Sequence, residues 1–224
     1  MNQLPLAISG LGPTDFAHFW PDADVIALAR LRALAHRPGA DQLLISGAPS
    51  SGKTHLSLAT TEAASAMGWR VAYLPLAQID PETLTEPLDA DLIVVDDVDC
   101  ALNHMGTAQW LFAQINRQHD RLRALLLALP DTCDPAAAVL PDLASRLARC
   151  EQLQLRTPDD GARKSILLFR AEQAGIPLDP AAADHLLRHH ARDLRSLLAR
   201  LAELDREALA RGRRITVPLM REVR

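Results

Sequence analysis

The sequence predicts an α/β fold in which helices cover both faces of a central parallel sheet, followed by a small all-helical domain. Over the first two-thirds of the chain, short apolar runs alternate with amphipathic helical stretches, a pattern typical of parallel sheets. After Arg156 only helical periodicity remains. We therefore predict an N-terminal arm over residues 1–24, an α/β domain over 25–156 and a helical domain over 157–224.

Helices and strands alternate through the predicted α/β domain. Its first helix runs from about Val25 to His36 and is broken by HRPGADQ, and the next helix ends at Gly68. Two helical faces are expected to be buried, one with Leu56, Ala59, Ala63 and Met67, the other with Ala108, Leu111, Phe112 and Ile115. The predicted strands, in chain order, are QLLIS, RVAYLPL, DLIVVDDVD, RALLLAL and EQLQL.

Four helices are predicted for the C-terminal domain. Thr157, followed by Pro158, is the predicted N-cap of the first helix, which ends at Gly175. Asp179 and Pro180 begin the second helix in the same way. The third, DLRSLLARLAELDREALARG, is strongly amphipathic, and the fourth, VPLMREVR, is short.

The composition is that of an ordinary globular chain. Of the 224 residues 48% are hydrophobic and 23% charged, so a sizeable core is available. A formal net charge of −4 argues against coating bare DNA by charge alone. The three cysteines form no CxxC pair, which suggests neither a zinc site nor a disulfide framework. Without a leader or an apolar run of membrane-spanning length, we expect a cytoplasmic protein with no membrane partner.

A phosphate-binding loop is the strongest motif in the sequence. Gly47, Gly52, Lys53 and Thr54 match G-x-x-x-x-G-K-[ST], with a predicted strand before and a predicted helix after the loop. Such a loop wraps backbone N–H groups around phosphate oxygens, its lysine reaches the terminal phosphates and its hydroxyl binds Mg²⁺. The predicted nucleotide contacts are Gly47, Ala48, Pro49, Ser50, Ser51, Gly52, Lys53, Thr54 and His55.

Acidic residues at the end of a buried strand complete such a site. In LIVVDD, Asp96 ends the strand, and we predict that it lies adjacent to the loop and holds Mg²⁺ directly or through water. Asp97 is the predicted polariser of an attacking water, although either acid could instead cap the next segment. Asp99 is expected to be a solvated turn residue.

Several motifs together resemble the AAA+ ATPases of the DnaA clade. These are the phosphate loop, the strand ending in two aspartates, LPDLASRL, the helical tail and ARDLRSLLARL, and they extend over nearly the whole chain. No helix-turn-helix domain of the initiator follows, so within the clade the chain resembles the Hda family of regulatory inactivators of DnaA. The resemblance implies an AAA+ P-loop domain with a helical lid, ADP or ATP with Mg²⁺ as ligand, and DnaA as a partner. It leaves the oligomeric state open, a homo-oligomer included.

The same resemblance assigns roles to residues outside the loop. Gln3, Leu4 and Leu6 match the family's peptide for the sliding clamp, the β subunit of DNA polymerase III, which would bring the protein to DNA and the nucleoid indirectly. A frayed terminus is the alternative. Arg146 in LASRL occupies the arginine-finger position and would act in trans on a neighbour's triphosphate, unless it pairs with Asp142 or Glu151.

The lid and the expected sensor position are less well defined. Arg195 matches the sensor II arginine, with Arg192 as a rival. Phe16, Phe19 and Trp20 are either adenine-flanking or ordinary core aromatics. The sensor I position falls near Leu129 and Pro130, where only a small shift would bring in Asp131 or Thr132. We therefore expect weak or no intrinsic ATPase activity.

Two functions from different classes follow from these features. The first is a regulator that, with the DNA-loaded clamp, stimulates hydrolysis of DnaA-bound ATP and represses re-initiation of replication. The second is an autonomous AAA+ ATPase that acts on DNA as a helicase-loader-like or transposition-helper protein. A nucleotide kinase is a third and poorer interpretation, because no second phosphate-gripping lid is evident.

Overall fold

The computed structural model describes residues 13–20, 22, 24–190 and 193–223. They form two compact units, one of residues Thr14–Thr157 and one built on Pro158–Arg224. The first unit contains a five-stranded sheet and the second contains only helices and one isolated bridge. The predicted parallel sheet with a following helical domain is therefore confirmed.

All strand pairs in the sheet are parallel, and the strand order is β2-β3-β4-β1-β5. The strands are β1 (Gln42–Gly47), β2 (Val71–Pro75), β3 (Leu92–Asp96), β4 (Ala124–Pro130) and β5 (Glu151–Gln154). We expected β3 to end next to the loop that follows β1, but β3 and β1 are not neighbouring strands. Leu125 of β4 pairs with Gln42 on one side and with Ile93 on the other, so β4 separates β1 from β3.

Each central strand is buried on both faces. Alternate residues enter two different cores: Leu43 and Ile45 lie on one face of β1, and Leu44 lies on the other. Helices α1 and α2 cover the first face, and α3, α4 and α5 cover the second. These helices are α1 (Val25–His36), α2 (Lys53–Ala66), α3 (Asp99–Leu102), α4 (Met105–Asp120) and α5 (Pro141–Leu147). Continuous apolar strands are thus explained by helices on both sides.

The predicted apolar face of α2 needs one correction. Leu56 and Ala59 are fully buried and Ala63 is partly buried, but Met67 is 52% exposed. The helix ends at Ala66, Met67 is its C-cap and still has helical φ and ψ, and the chain turns at Gly68 with φ +86°, so Met67 lies at the exposed end of the helix, beyond the buried face. On α4, the predicted face is buried at Ala108, Leu111 and Ile115 and half-buried at Phe112.

The helical unit has its own core, made by apolar side chains of four helices such as Leu167, Leu186, Leu201 and Leu219. The helices are α6 (Asp160–Gln173), α7 (Pro180–His189), α8 (Leu194–Ala210) and α9 (Val217–Glu222). In the described part of the chain, no helix is both long enough and apolar enough to span a membrane.

The start of α6 differs from its prediction. Its N-cap is Asp159 and not Thr157, because the Asp159 carboxylate accepts a hydrogen bond from the backbone N–H of Ala162 at 2.7 Å. The helix therefore begins two residues beyond Pro158. The predicted cap of α7 is confirmed, since Asp179 accepts from the N–H of Ala181 at 2.7 Å.

Removing the cap of α6 should destabilise the protein, whereas removing the predicted but unused one should not. We expect Asp159→Ala to lower the free energy of unfolding by about 1 kcal/mol, the typical worth of an N-cap. Thr157→Ala, the matched control, should change it by less than about 0.5 kcal/mol. Urea unfolding followed by circular dichroism measures both, and equal losses would contradict the assignment of the cap.

Candidate nucleotide-binding site

The loop between β1 and α2 requires glycine at both ends. A Cβ on Gly47 would lie 2.6 Å from the Ser51 Oγ and 3.1 Å from the Leu155 carbonyl oxygen. Gly52 has φ +100°, and a Cβ there would lie 2.7 Å from Cε2 of Phe19. A side chain at Gly47 would crowd Ser51 and Leu155, and one at Gly52 would meet the Phe19 ring in a backbone conformation that favours glycine. Glycine at both ends of such a loop is typical of a phosphate cradle.

The N-terminus of α2 is left free to meet an anion. Gly52 is its N-cap, and among the described residues no side chain caps the helix and no acidic residue stands in its first turn. The first N–H groups of a helix lack intrahelical partners and carry a partial positive charge. Ser50, with φ +63°, reverses the loop beneath them. This arrangement fits the phosphates of a nucleotide.

Lys53 lies over the loop in this structure. Its Nζ donates hydrogen bonds to the carbonyl oxygens of Gly47 at 2.7 Å and Ala48 at 3.0 Å. Partial burial lowers the pKa of the ammonium, and the negative charges of nearby carboxylates oppose this, with Asp96 the strongest, followed by Asp131. The ammonium group is thus bonded to the loop backbone and influenced by the acidic residues.

The Asp96 carboxylate is buried and hydrogen bonded through both oxygens. It is 2% exposed, its Oδ2 accepts from the Tyr73 hydroxyl at 3.1 Å, and its Oδ1 accepts from the Asp97 N–H at 3.1 Å. Although β4 separates β3 from β1, the charge of Asp96 still acts on Lys53. The predicted loop lysine and strand acid therefore influence each other electrostatically, without a hydrogen bond or ion pair between them among the described contacts.

The residues present fit a Mg²⁺ ion of the kind that accompanies nucleotides. Among the described residues, no group of three or more His, Cys, Asp or Glu side chains is arranged to hold a metal. Nucleotide-bound Mg²⁺ does not need one, because one or two protein ligands, phosphate oxygens and waters complete its shell. Thr54, half-buried in the first turn of α2, and the ordered carboxylate of Asp96 supply ligands of that type. Their role in binding Mg²⁺ stays a prediction.

Asp97 and Asp99 extend the acidic end of β3. Asp97 has φ +57°, and burial, followed by the charges of Asp96 and Asp99, raises the pKa of its carboxyl. The expectation for Asp99 was wrong: it begins α3, is half-buried, and its Oδ1 is buried without a hydrogen-bond partner among the described residues. The spacing of three acids within four residues was the available signal for this cluster.

Residues of the N-terminal arm pack directly on the loop and the start of α2. The rings of Phe19 and His55 lie 5.6 Å apart, and Nε2 of His55 is 2.8 Å from the carbonyl oxygen of Asp15. Phe16 and Phe19 contact the core beneath α1 and α2, and the Arg32 guanidinium lies 5.6 Å from the Phe16 ring centroid. Both phenylalanines are thus half-buried against this core, their contact with adenine stays a prediction, and His55 faces the arm.

Comparison with known proteins identifies the family. A family model described as the lid domain of Hda matches residues 160–223. An uncharacterized protein from Haemophilus influenzae is 30% identical over 229 residues, which cover 99% of this chain and 98% of the relative. The chain belongs to the Hda family of DnaA-related AAA+ proteins.

Solved structures of DnaA share the fold of this Hda-family chain. Domain III of the replication initiation protein DnaA from Thermotoga maritima is 21% identical with a TM-score of 0.78, covering 94% of this chain and 95% of that one. AMPPCP-bound DnaA from Aquifex aeolicus is 19% identical with a TM-score of 0.69, covering 90% of this chain and 70% of that one. The AAA+ fold predicted from the resemblance is thereby confirmed.

The arginine-finger candidate of this Hda-family protein is half-buried on α5. The guanidinium carbon of Arg146 lies 6.0 Å from the Phe112 ring centroid. No ion pair joins Arg146 to Asp142 or Glu151 among the described residues, and Glu151 instead pairs with Arg30, whose Nε and Nη2 lie 2.8 and 2.5 Å from its oxygens. The alternative that Arg146 serves as a local ion-pair partner is therefore not supported.

Strand β4 includes the expected sensor I position near Leu129 and Pro130. This strand continues to Pro130, and the N–H of Asp131 donates to the carbonyl oxygen of Gly47 at 3.1 Å. Asp131 and Thr132 are both exposed, and the negative charge of Asp131 acts on Lys53. Of the two substitutes considered for sensor I, Asp131 is thus the one that lies beside the loop.

Two other sets of predicted residues remain as predictions. Arg195 is exposed in the first turn of α8, two residues after its cap Asp193. Its rival Arg192 lies outside the described residues, and so do the predicted clamp contacts Gln3, Leu4 and Leu6.

Replacing Asp97 by asparagine should stabilise the protein at neutral pH. The folded-state pKa of this carboxyl is raised, so its contribution to stability is full only below the unfolded value of about 3.9 and is lost as the pH rises through the folded pKa. Asp97→Asn should therefore raise Tm at pH 7, and the gain should vanish below about pH 4. Asparagine tolerates a φ of +57° well, so backbone strain does not mask the effect.

Differential scanning calorimetry at the two pH values tests this. Glu62→Gln, at an exposed position of α2, is the matched neutralising control and should give no comparable gain. A loss of stability at pH 7 in Asp97→Asn would contradict the raised pKa.

Proposed function

We propose that this Hda-family protein is a nucleotide-dependent inactivator of the DnaA initiator. It holds ADP or ATP with Mg²⁺ in the loop of residues 47–54, docks on the DNA-loaded sliding clamp through Gln3, Leu4 and Leu6, and presents Arg146 to ATP bound by DnaA. Hydrolysis of that ATP then represses re-initiation of replication. The cytoplasm, with attachment to the nucleoid through the replisome, is the corresponding location.

The geometry of the loop supports nucleotide binding. The cradle for phosphates combines two glycines at which a side chain would be crowded, a helix N-terminus that no described side chain caps, and Lys53, on which the charge of Asp96 acts. DnaA from Aquifex aeolicus, which shares the fold, was solved with AMPPCP bound. An adenine nucleotide is therefore the ligand we propose for this chain.

The environment of Arg146 is the observation that carries the proposed action on DnaA. A half-buried guanidinium with an aromatic ring beside it and no acidic partner among the described residues is a cation available to another molecule. Arginine fingers stabilise charge on the transferred phosphoryl group in the transition state. Arg146 would do this for the triphosphate on DnaA, as the family resemblance implies.

A second candidate function is autonomous ATP hydrolysis on DNA, as in a helicase loader or transposition helper. The position of Asp131 favours it, because a polar side chain next to the loop and Lys53 could order a water near the terminal phosphate. Asp97 at the end of β3 would then polarise that water. This function predicts rapid ATP turnover by the protein alone.

Substituting Arg146 should abolish action on DnaA and leave nucleotide binding intact. With clamp and DNA present, Arg146→Ala is expected to reduce stimulated hydrolysis of DnaA-bound ATP by roughly 10³-fold or to the unstimulated rate. Arg149→Ala, an exposed arginine one helical turn on, is the matched control and should retain stimulation. Release of radiolabelled phosphate from DnaA measures both, and full activity of Arg146→Ala would refute the proposed mechanism.

Deleting residues 1–7 separates the two candidate functions. The inactivator should lose binding to the clamp, measured by surface plasmon resonance, while its affinity for ADP changes less than about twofold, because the deletion ends before the arm residues that contact the loop. An autonomous ATPase should be unaffected in turnover and should show no clamp binding to lose. Unchanged clamp binding after the deletion would exclude Gln3, Leu4 and Leu6 as the docking peptide.

A further inference from the structure

Asp96 is a buried carboxylate whose orientation is set by two donors. One is the N–H of the next residue, Asp97, and belongs to the backbone turn that ends β3. The other is the hydroxyl of Tyr73 on the neighbouring strand β2, at 3.1 Å from Oδ2. A buried carboxylate is costly unless its oxygens are hydrogen bonded, so this side-chain donor has a definite energetic role.

Strand register explains why the donor is a tyrosine two residues back. In the register of the two strands, Asp96 lies opposite Pro75, whose side chain has no hydrogen-bond donor, and Tyr73 lies opposite Val94. Side chains of Tyr73, Val94 and Asp96 share one face of the sheet because strand side chains alternate. Two residues of strand rise about 6.6 Å, roughly the reach of a phenol from its Cα, so the Tyr73 hydroxyl arrives level with Asp96.

That shared face is the one covered by α2, the helix that carries the loop lysine and Thr54. Val94 and Leu56 belong to the same core, and the Tyr73 ring packs against it. The phenol therefore holds the Asp96 carboxylate from the side of β2, and the carboxylate's charge acts on Lys53 across β4. Tyr73 is the one tyrosine in the sequence.

We propose that Tyr73 is a positioning residue for the magnesium–nucleotide site, acting through Asp96. The inference rests on the proposed binding of nucleotide with Mg²⁺. By engaging Oδ2, the phenol restrains the orientation of the carboxylate, and each carboxylate oxygen keeps a further lone pair that could bind the metal or its water. Partners of this kind that orient a metal ligand typically change metal affinity by 10–100-fold when removed.

The test compares the Mg²⁺ dependence of ADP binding in the full-length protein and in Tyr73→Phe. This substitution keeps the ring in the core and removes only the hydroxyl. We expect the Mg²⁺ concentration for half-maximal ADP binding to rise about 10-fold or more. In EDTA, where the loop binds ADP without metal, the affinity of Tyr73→Phe should stay within about twofold of wild type. Isothermal titration calorimetry measures each quantity without reference to catalysis.

Two variants separate positioning from general loss of a hydroxyl. Thr60→Val removes a buried hydroxyl that donates to the Leu56 carbonyl oxygen within α2, and its Mg²⁺ dependence should match wild type. Asp96→Asn should weaken the Mg²⁺ dependence by itself, and adding Tyr73→Phe to it should cause no further change, since coupled residues are not additive.

The outcomes distinguish this inference from the proposed function. Equal losses with Mg²⁺ and with EDTA in Tyr73→Phe would mean a merely structural tyrosine and would overturn the inference. An unchanged Mg²⁺ dependence would overturn it as well, while ADP binding by the wild type would leave the proposed function standing. Failure of the wild type to bind ADP, or to respond to Mg²⁺, would overturn both. Evidence that Arg146 has no role in the hydrolysis of DnaA-bound ATP would overturn only the proposed function.

Discussion

The crowding around the two glycines at the ends of the phosphate loop is the constraint on which the rest of the site depends. Gly47 is closed in by Ser51 and Leu155, and Gly52 is closed in by Phe19 while its φ lies in the left-handed region. With Gly52 as its N-cap, α2 starts directly behind the loop, and no described side chain caps its first N–H groups. The placement of Lys53 over the Gly47 and Ala48 carbonyls follows from the same turn.

The sheet brings chemistry to the loop from strands that are distant in sequence. Because β4 lies between β1 and β3, the acid at the end of β3 reaches Lys53 as an electrostatic neighbour across a strand and not as a partner on the next one. Strand β4 ends at Pro130, and the N–H of the next residue, Asp131, donates a hydrogen bond to the Gly47 carbonyl oxygen. Each functional group therefore owes its position to where a buried strand ends.

Local patterns in the sequence predicted the elements well, and long-range pairing limited the rest. The helix Val25–His36 follows from its periodicity and its breakers, and Asp179 with Pro180 correctly begins α7. Thr157 failed as a cap because Asp159, nearby in sequence, reaches the free N–H of Ala162. The strand order and the bond from Tyr73 to Asp96 depend on register between strands, which hydrophobic alternation does not encode. The loop motif was readable because phosphate binding requires a fixed local spacing.

The contacts between the arm and α2 also limit how far Leu6 can lie from the nucleotide-binding loop. Pro13 precedes the segment in which Asp15 and Phe19 contact His55 and Gly52, and Leu6 is seven residues before Pro13. Since an extended chain spans at most about 3.5 Å per residue, any macromolecule captured at Leu6 stays within about 25 Å of that anchorage. Binding of a macromolecule at Leu6 would thus keep the nucleotide-binding loop close to that partner and raise the local concentration without any additional interface.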